Sequence, residues 1–173
     1  MRMTELLPLS DQSIANAAGI LRGGGLVAFP TETVYGLGAD ACNANAVASI
    51  FTAKNRPEFN PLISHVATVD AAFALGRKTP IAAALAAVFW PGPMTLVLTR
   101  EDHCPIARLT SAGLDKIALR VPAHTEAQRL LTAFGGPVAG PSANMSGKIS
   151  PSRATHVMQS LAGRIDLVLD GGA

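Results

Sequence analysis

The 173-residue chain is 49% hydrophobic, 5% aromatic and 15% charged, with 14 basic and 12 acidic side chains and a formal net charge of +2. That balance excludes an intrinsically disordered chain, which is poor in hydrophobes and rich in charge, and the length suits one domain with a buried core. The charge is too small to announce a nucleic-acid binder, although ten arginines against four lysines favour the residue that grips carboxylates and phosphates bidentately.

Ser10 precedes a stretch with Ile14, Ala17, Ala18 and Leu21 on one helical face, and Gly23-Gly24-Gly25 is expected to stop that helix. Leu26 to Phe29 reads as a short buried strand ended by Pro30. A second helix is predicted from Asn45 to Lys54, with Val47, Ile50 and Phe51 as its apolar stripe. Pro61 opens a strand through Leu62, Ile63 and Val66. Helices are predicted over 69–76 and 80–89, the latter broken by Pro91-Gly92-Pro93. Met94 to Leu98 and Ile117 to Val121 read as strands, followed by a helix at 125–134 and the short strand Pro137-Val138-Ala139. A loop rich in Ser, Pro, Gly and Asn spans 140–152, a helix covers 153–162, and Leu167-Val168-Leu169 forms a last strand before Asp170-Gly171-Gly172. Helices and strands intermix throughout, the pattern of a layered α/β domain.

No repeat, charge block or linker divides the chain, so residues 1–173 read as one domain. The glycine pair just before Ala173 ordinarily introduces a further turn and strand, so the domain is expected to be incomplete at its C-terminal end. The longest apolar run, Ile81 to Trp90, has ten residues, against about 20 for a membrane span. MRMTELLPLS lacks the continuous apolar core of a signal peptide. Cys42 and Cys104 form neither a CxxC pair nor a disulfide scaffold. These features together predict a cytoplasmic protein without a membrane segment.

Four segments could carry chemistry. Pro30-Thr31-Glu32-Thr33-Val34-Tyr35-Gly36-Leu37-Gly38 places hydroxyls and a carboxylate directly after a buried strand, where α/β proteins bind ligands; an ordinary polar turn is the alternative. In Lys54-Asn55-Arg56-Pro57-Glu58-Phe59-Asn60-Pro61-Leu62-Ile63-Ser64-His65 a helix ends on two cations and two prolines stiffen the loop leading into a strand, lowering the entropy lost in presenting them to an anion. Cations at a helix C-terminus also answer the macrodipole. Arg120 sits between apolar neighbours in Ala118-Leu119-Arg120-Val121, and a guanidinium there is costly to bury unless an anion partners it. His65 lies in a strand, where a hydrogen-bonded core histidine is the plain alternative to a ligand. Pro141-Ser142-Ala143-Asn144-Met145-Ser146-Gly147-Lys148-Ile149-Ser150-Pro151 crowds small donors and acceptors into one loop, suited to a nucleotide's phosphates or ribose or to a flexible surface linker. No GxxxxGK[ST] or GxSxG motif is present, and His103, His124 and His156 lack metal-ligand spacing, so no metal site is predicted.

These segments, in this order, resemble the YrdC/TsaC family of threonylcarbamoyl-AMP synthases. The matching words are PTETVYGLG at 30–38, KNRPEFNPLISH at 54–65, PGPMTLVL at 91–98, ALRVP at 118–122, PSANMSGKISP at 141–151 and LVLDGG at 167–172. The resemblance runs from about residue 9 to the end. It implies a twisted mixed sheet flanked by helices, with a concave basic cavity. It also implies a reaction joining L-threonine, bicarbonate or CO2, and ATP into threonylcarbamoyl-AMP and pyrophosphate. That product serves threonylcarbamoylation of the adenosine beside the anticodon of certain tRNAs, with a possible tRNA contact and with partner proteins for the transfer itself. By the same resemblance, Lys54, Arg56, Asn60, Ser142, Asn144 and Ser150 hold ATP, with Lys54 and Arg56 catalytic. Thr33, with Thr31 beside it in the motif, His65 and Arg120 hold threonine. Mg²⁺ would arrive on ATP, because no Asp/Glu cluster suggests a protein cage. Family members continue past DGG with a turn, a Ser-Thr strand and a later Arg, so the single-domain and two-domain branches both stay open. Two other readings stay open as well: a non-catalytic RNA-binding module, and the carbamoyl-adenylate chemistry of hydrogenase maturation.

Overall fold

The computed structural model describes residues 3–173; Met1 and Arg2 lie outside the described residues. In chain order the elements are β1 (Glu5–Pro8), α1 (Asp11–Arg22), β2 (Val27–Phe29), β3 (Gly36–Asp40), α2 (Ala44–Lys54), β4 (Ile63–His65), α3 (Val69–Leu75) and α4 (Pro80–Phe89). There follow β5 (Leu96–Thr99), a 3-10 turn (Arg108–Ser111), β6 (Lys116–Arg120), α5 (Thr125–Phe134), β7 (Val138–Ala139), α6 (Ala154–Leu161) and β8 (Leu167–Asp170). The predicted helices at 80–89 and 125–134 match α4 and α5 at both ends. Two strands, β1 and β3, were not foreseen in the sequence.

Local chemistry explains the boundaries. Ser10 Oγ accepts the Ser13 amide at 3.0 Å while Ser13 Oγ accepts the Ser10 amide at 2.9 Å, a reciprocal cap that starts α1. Gly24, at φ +81°, takes the left-handed turn that follows α1. Asn43 caps α2, Thr68 caps α3, and Thr79 with Pro80 begins α4. Among the described residues, no helix is long and apolar enough to cross a membrane.

The eight strands form one mixed sheet in the order β1-β8-β2-β3-β7-β4-β6-β5. The β1/β8, β2/β8 and β4/β6 pairs are parallel and the others antiparallel. Alternate strand residues feed two cores on opposite faces. Val27, Phe29, Leu167 and Leu169 pack with Ile14, Ala17, Ala18 and Leu21 of α1 and Ala127, Leu130 and Leu131 of α5. Leu26, Ala28 and Val168 join Val47, Ile50 and Phe51 of α2 and Val157 and Leu161 of α6 in the other core. Packing on both faces holds the centre of the sheet rigid, so the loops leaving β2, β6 and β7 start from fixed points.

Candidate functional site

β2 hands the chain to the 30–35 loop before β3 begins. Thr31 Oγ1 donates to the Val34 carbonyl at 2.6 Å and accepts the amides of Thr33 and Val34 at 3.2 Å each, so Thr31 is consumed in shaping its own loop. Thr33, exposed beside it, instead accepts from both terminal nitrogens of Arg120 at 3.3 Å. Arg120 closes β6 and is 7% exposed. Its Nη2 also lies 2.7 Å from Glu32 Oε1, and its Nε donates to the Gly92 carbonyl at 3.3 Å. Gly92 is itself fixed by its amide on the Val121 carbonyl at 2.8 Å. A Cβ at Gly92 would come within 2.3 Å of the Phe89 carbonyl oxygen, so the Pro-Gly-Pro turn needs glycine there. The anion expected beside Arg120 is therefore present within the chain, as Glu32, a residue that sequence reasoning left out of the site. Burial pushes the Glu32 carboxyl upward, but the Arg120 hydrogen bond and neighbouring amides outweigh it and hold it below the usual value.

The second half of the site begins where α2 ends. Asn55, at φ +49°, turns the chain away after Lys54. Lys54 is 1% exposed, and its ammonium donates to the main-chain carbonyls of Ser142 and Asn144. The Lys54 carbonyl in turn accepts the Ser146 amide at 2.8 Å. Burial, aided by the neighbouring Arg56 charge, brings the Lys54 pKa down to about 8. Lys54 is thus not a free cation waiting on solvent: it staples the 142–146 loop to α2, with one of its three N–H donors unspent. Arg56 Nη2 donates to the Pro61 carbonyl at 3.1 Å and the Asn60 carbonyl at 3.5 Å, which sets the proline-stiffened loop.

Main-chain bonds lock the two halves together. Leu37 donates to Pro141 at 2.7 Å, Ala143 to Tyr35 at 2.8 Å and Tyr35 to Pro151 at 2.8 Å, with Gly36 bridging Ser142. The Tyr35 hydroxyl donates to the Gly172 carbonyl at 2.8 Å and accepts the Gly171 amide at 3.0 Å, which ties the same segment to the DGG end. His65 stands beside Arg120 in the β4/β6 register and packs edge-on to Phe29, with ring centroids 6.0 Å apart. Burial, followed by the Arg120 charge, lowers its pKa to about 4, so the imidazole is neutral at pH 7. A Cβ at Gly140 would lie 2.9 Å from His65 Nδ1, so glycine lets the loop pass over the ring.

Lys54, Ser142 and Asn144 are thus brought together, with the Arg56 charge near enough to act on Lys54, and His65, Arg120 and Thr33 form a second group. Asn60 is half-buried at the Arg56 loop, and Ser150 is exposed at the far end of the 141–150 loop. Among the described residues, four buried side-chain polar atoms lack a hydrogen-bond partner, and three of them, Arg56 Nε, His65 Nδ1 and Asn144 Oδ1, belong to these groups. Unpaired buried polar atoms are costly and rare, and their concentration here is what a ligand site requires. Concavities of about 600 Å³, lined by residues such as Asp11 and Arg129, and of about 570 Å³, lined by residues such as Arg77 and Arg100, lie elsewhere. The concave basic cavity implied by the resemblance coincides with neither.

Fold and site together define an α/β domain that gathers cations and small polar groups where β2, β6, β7 and α2 end. Residues 19–173 match the Sua5/YciO/YrdC family model, described as "Telomere recombination". The chain belongs to that family. It is 49% identical over 165 residues to the threonylcarbamoyl-AMP synthase of Pyrococcus abyssi, covering 95% of this chain and 48% of that protein. To the threonylcarbamoyl-AMP synthase of Bacillus subtilis it is 47% identical over 171 residues, covering 98% and 49%. The structure of Pyrococcus abyssi Sua5 complexed with L-threonine is similar, with a TM-score of 0.90 and 46% identity over 99% of this chain and 50% of that one. The chain spans about half the length of these curated relatives.

Proposed function

We propose that this chain carries the nucleotidyl-transfer centre of a threonylcarbamoyl-AMP synthase. The observation that supports this reading best is the stapling to Lys54 of the loop carrying Ser142 and Asn144, which leaves Gly140 over His65, the β4 neighbour of Arg120. The names of the relatives point the same way. Arg56, Lys54, Asn60, Ser142, Asn144 and Ser150 take ATP, whereas Thr33, His65 and Arg120 take L-threonine. The threonine ammonium gives up a proton to solvent and the free amine adds to CO2, itself formed from bicarbonate and a proton with release of water; loss of a second proton from nitrogen leaves the carbamate. A carbamate oxygen then attacks the α-phosphorus, and the bond to the β-phosphate breaks to release pyrophosphate.

Charge builds on the phosphate oxygens during that displacement, and fixed cations stabilise it without reorganising. Arg56 supplies the direct contact; Lys54 supplies positive potential and holds the loop that seats the nucleotide. Mg²⁺ enters as part of the MgATP substrate. Neutral His65 offers its unpaired Nδ1 to a polar group of threonine, and Arg120 takes the carboxylate in a two-pronged grip. No side-chain nucleophile is needed, because the carbamate attacks. The adenylate passes to partner proteins in the cytoplasm that modify tRNA beside the anticodon, and a direct tRNA contact belongs to the same proposal.

The test is product identification by mass spectrometry after incubation with ATP, Mg²⁺, L-threonine and bicarbonate. Threonylcarbamoyl-AMP should form, with pyrophosphate release dependent on both threonine and bicarbonate. Pyrophosphate formed equally well without threonine rejects the reading.

A further inference from the structure

Arg120 already grips a carboxylate, that of Glu32. Its guanidinium is anchored from behind by Nε on the Gly92 carbonyl at 3.3 Å, and the outer fork faces the loop carrying Glu32 and Thr33. Glu32 Oε1 sits 2.7 Å from Nη2 and also accepts the Ala123 amide at 3.2 Å. Glu32 engages one terminal nitrogen of the fork and Thr33 reaches both, and a second carboxylate drawn to the same guanidinium is repelled by the Glu32 charge a few ångströms away. The partners are unequally placed. The Arg120 side chain is 8% exposed and the Glu32 side chain 21%, so the arginine is the fixed member and the acid stands on the solvent side. Thr31, not Glu32, shapes the loop, so Glu32 can turn outward without unmaking it.

We propose that Glu32 is an internal occupant of the Arg120 fork that exchanges with the carboxylate of the incoming amino acid, and so sets how tightly that carboxylate is held. This rests on the reading of the chain as a threonine-using synthase. The place of Glu32 on Arg120 in the ligand-free protein keeps a buried guanidinium from being left without a counter-charge.

Glu32→Gln keeps the shape and an acceptor oxygen but removes the competing charge. Calorimetric titration should show L-threonine binding about five- to tenfold more tightly to E32Q than to the unaltered chain, the scale of a partly exposed ion pair. L-threoninol, which lacks the carboxylate, should bind both proteins equally. E32A, which deletes the whole acid group, should shift threonine in the same direction if E32Q folds poorly. Threonine binding that is unchanged or weaker in the folded variants overturns the exchange and leaves the synthase reading standing. An equal gain for threoninol also overturns it, since the effect would then lie away from the carboxylate. Absence of threonine binding to every form removes the threonine reading itself, and the exchange with it.

Discussion

Lys54→Met tests the joint between the two halves of the site. The side chain is 1% exposed and its ammonium serves two main-chain carbonyls, of Ser142 and Asn144. Each such charged hydrogen bond is worth roughly 1.5–3 kcal/mol, yet removing the ammonium also removes a desolvation cost of several kcal/mol. The two effects oppose each other, so net stability should change by no more than about 2 kcal/mol, a Tm shift of a few degrees at this size. ATP binding should suffer far more. One charge at roughly 6 Å from a phosphate, at an effective dielectric near 20, is worth about 3 kcal/mol, or about 100-fold in affinity. Hydrogen exchange should also rise across 141–148, where the loop loses its staple. The pH dependence gives a second handle. Because the native pKa is about 8 and the ordinary value 10.5, the unfolded chain binds more protons between these limits. Lys54 therefore costs stability below pH 8, and that cost is relieved as pH rises towards 10.5. ATP affinity runs the other way, falling through pH 8 in the unaltered chain and staying flat in K54M. Unchanged exchange at 141–148 together with unchanged ATP affinity would refute the staple.

Arg56→Ala should lower ATP turnover by at least about 100-fold, the scale of one lost transition-state contact, with little change in Tm, since its bonds are to two loop carbonyls. A normal rate removes Arg56 from the site. His65 should make the fold acid-sensitive: its native pKa is about 4 against an ordinary 6.5. Stability should drop as pH falls through that window, by roughly 3 kcal/mol at pH 4, and denaturant titrations of His65→Gln should show a flatter profile.

The helices were legible in the sequence because their signals are local. Ser10 with Ser13, Thr79 with Pro80, and the apolar spacing of α1 each act within one or two turns. β3 was not legible, because Gly36 and Gly38 weaken any strand pattern. The structure supplies the reason for Gly38: a Cβ there would lie 2.9 Å from Val138 Cγ1 and 3.0 Å from the Phe29 ring. β1 escaped because it is mostly exposed and short, so its residues show no buried alternation. In the candidate site, the expectation that a buried Arg120 demands an anion was physically sound, but the sequence could not say whether that anion came from a ligand or from Glu32, 88 positions away. The same holds for Lys54. Its cationic character was plain, whereas its commitment to carbonyls some 90 residues distant depends on how the sheet closes.

β8 lies between β1 and β2, pairing in parallel with both. Among the described residues β1 thus has no strand neighbour until β8 arrives, and β2 keeps an open edge for the same interval. On the ribosome, with synthesis running at about 5–20 residues per second, this leaves β1 and β2 waiting roughly 10–30 seconds for that partner. Parallel pairing over such a span is slow to form and prone to wrong pairing meanwhile. A chain released before Leu167 would expose two strand edges at once and lose the Gly171–Gly172 anchor of Tyr35, so premature termination should yield aggregates rather than a merely weakened fold.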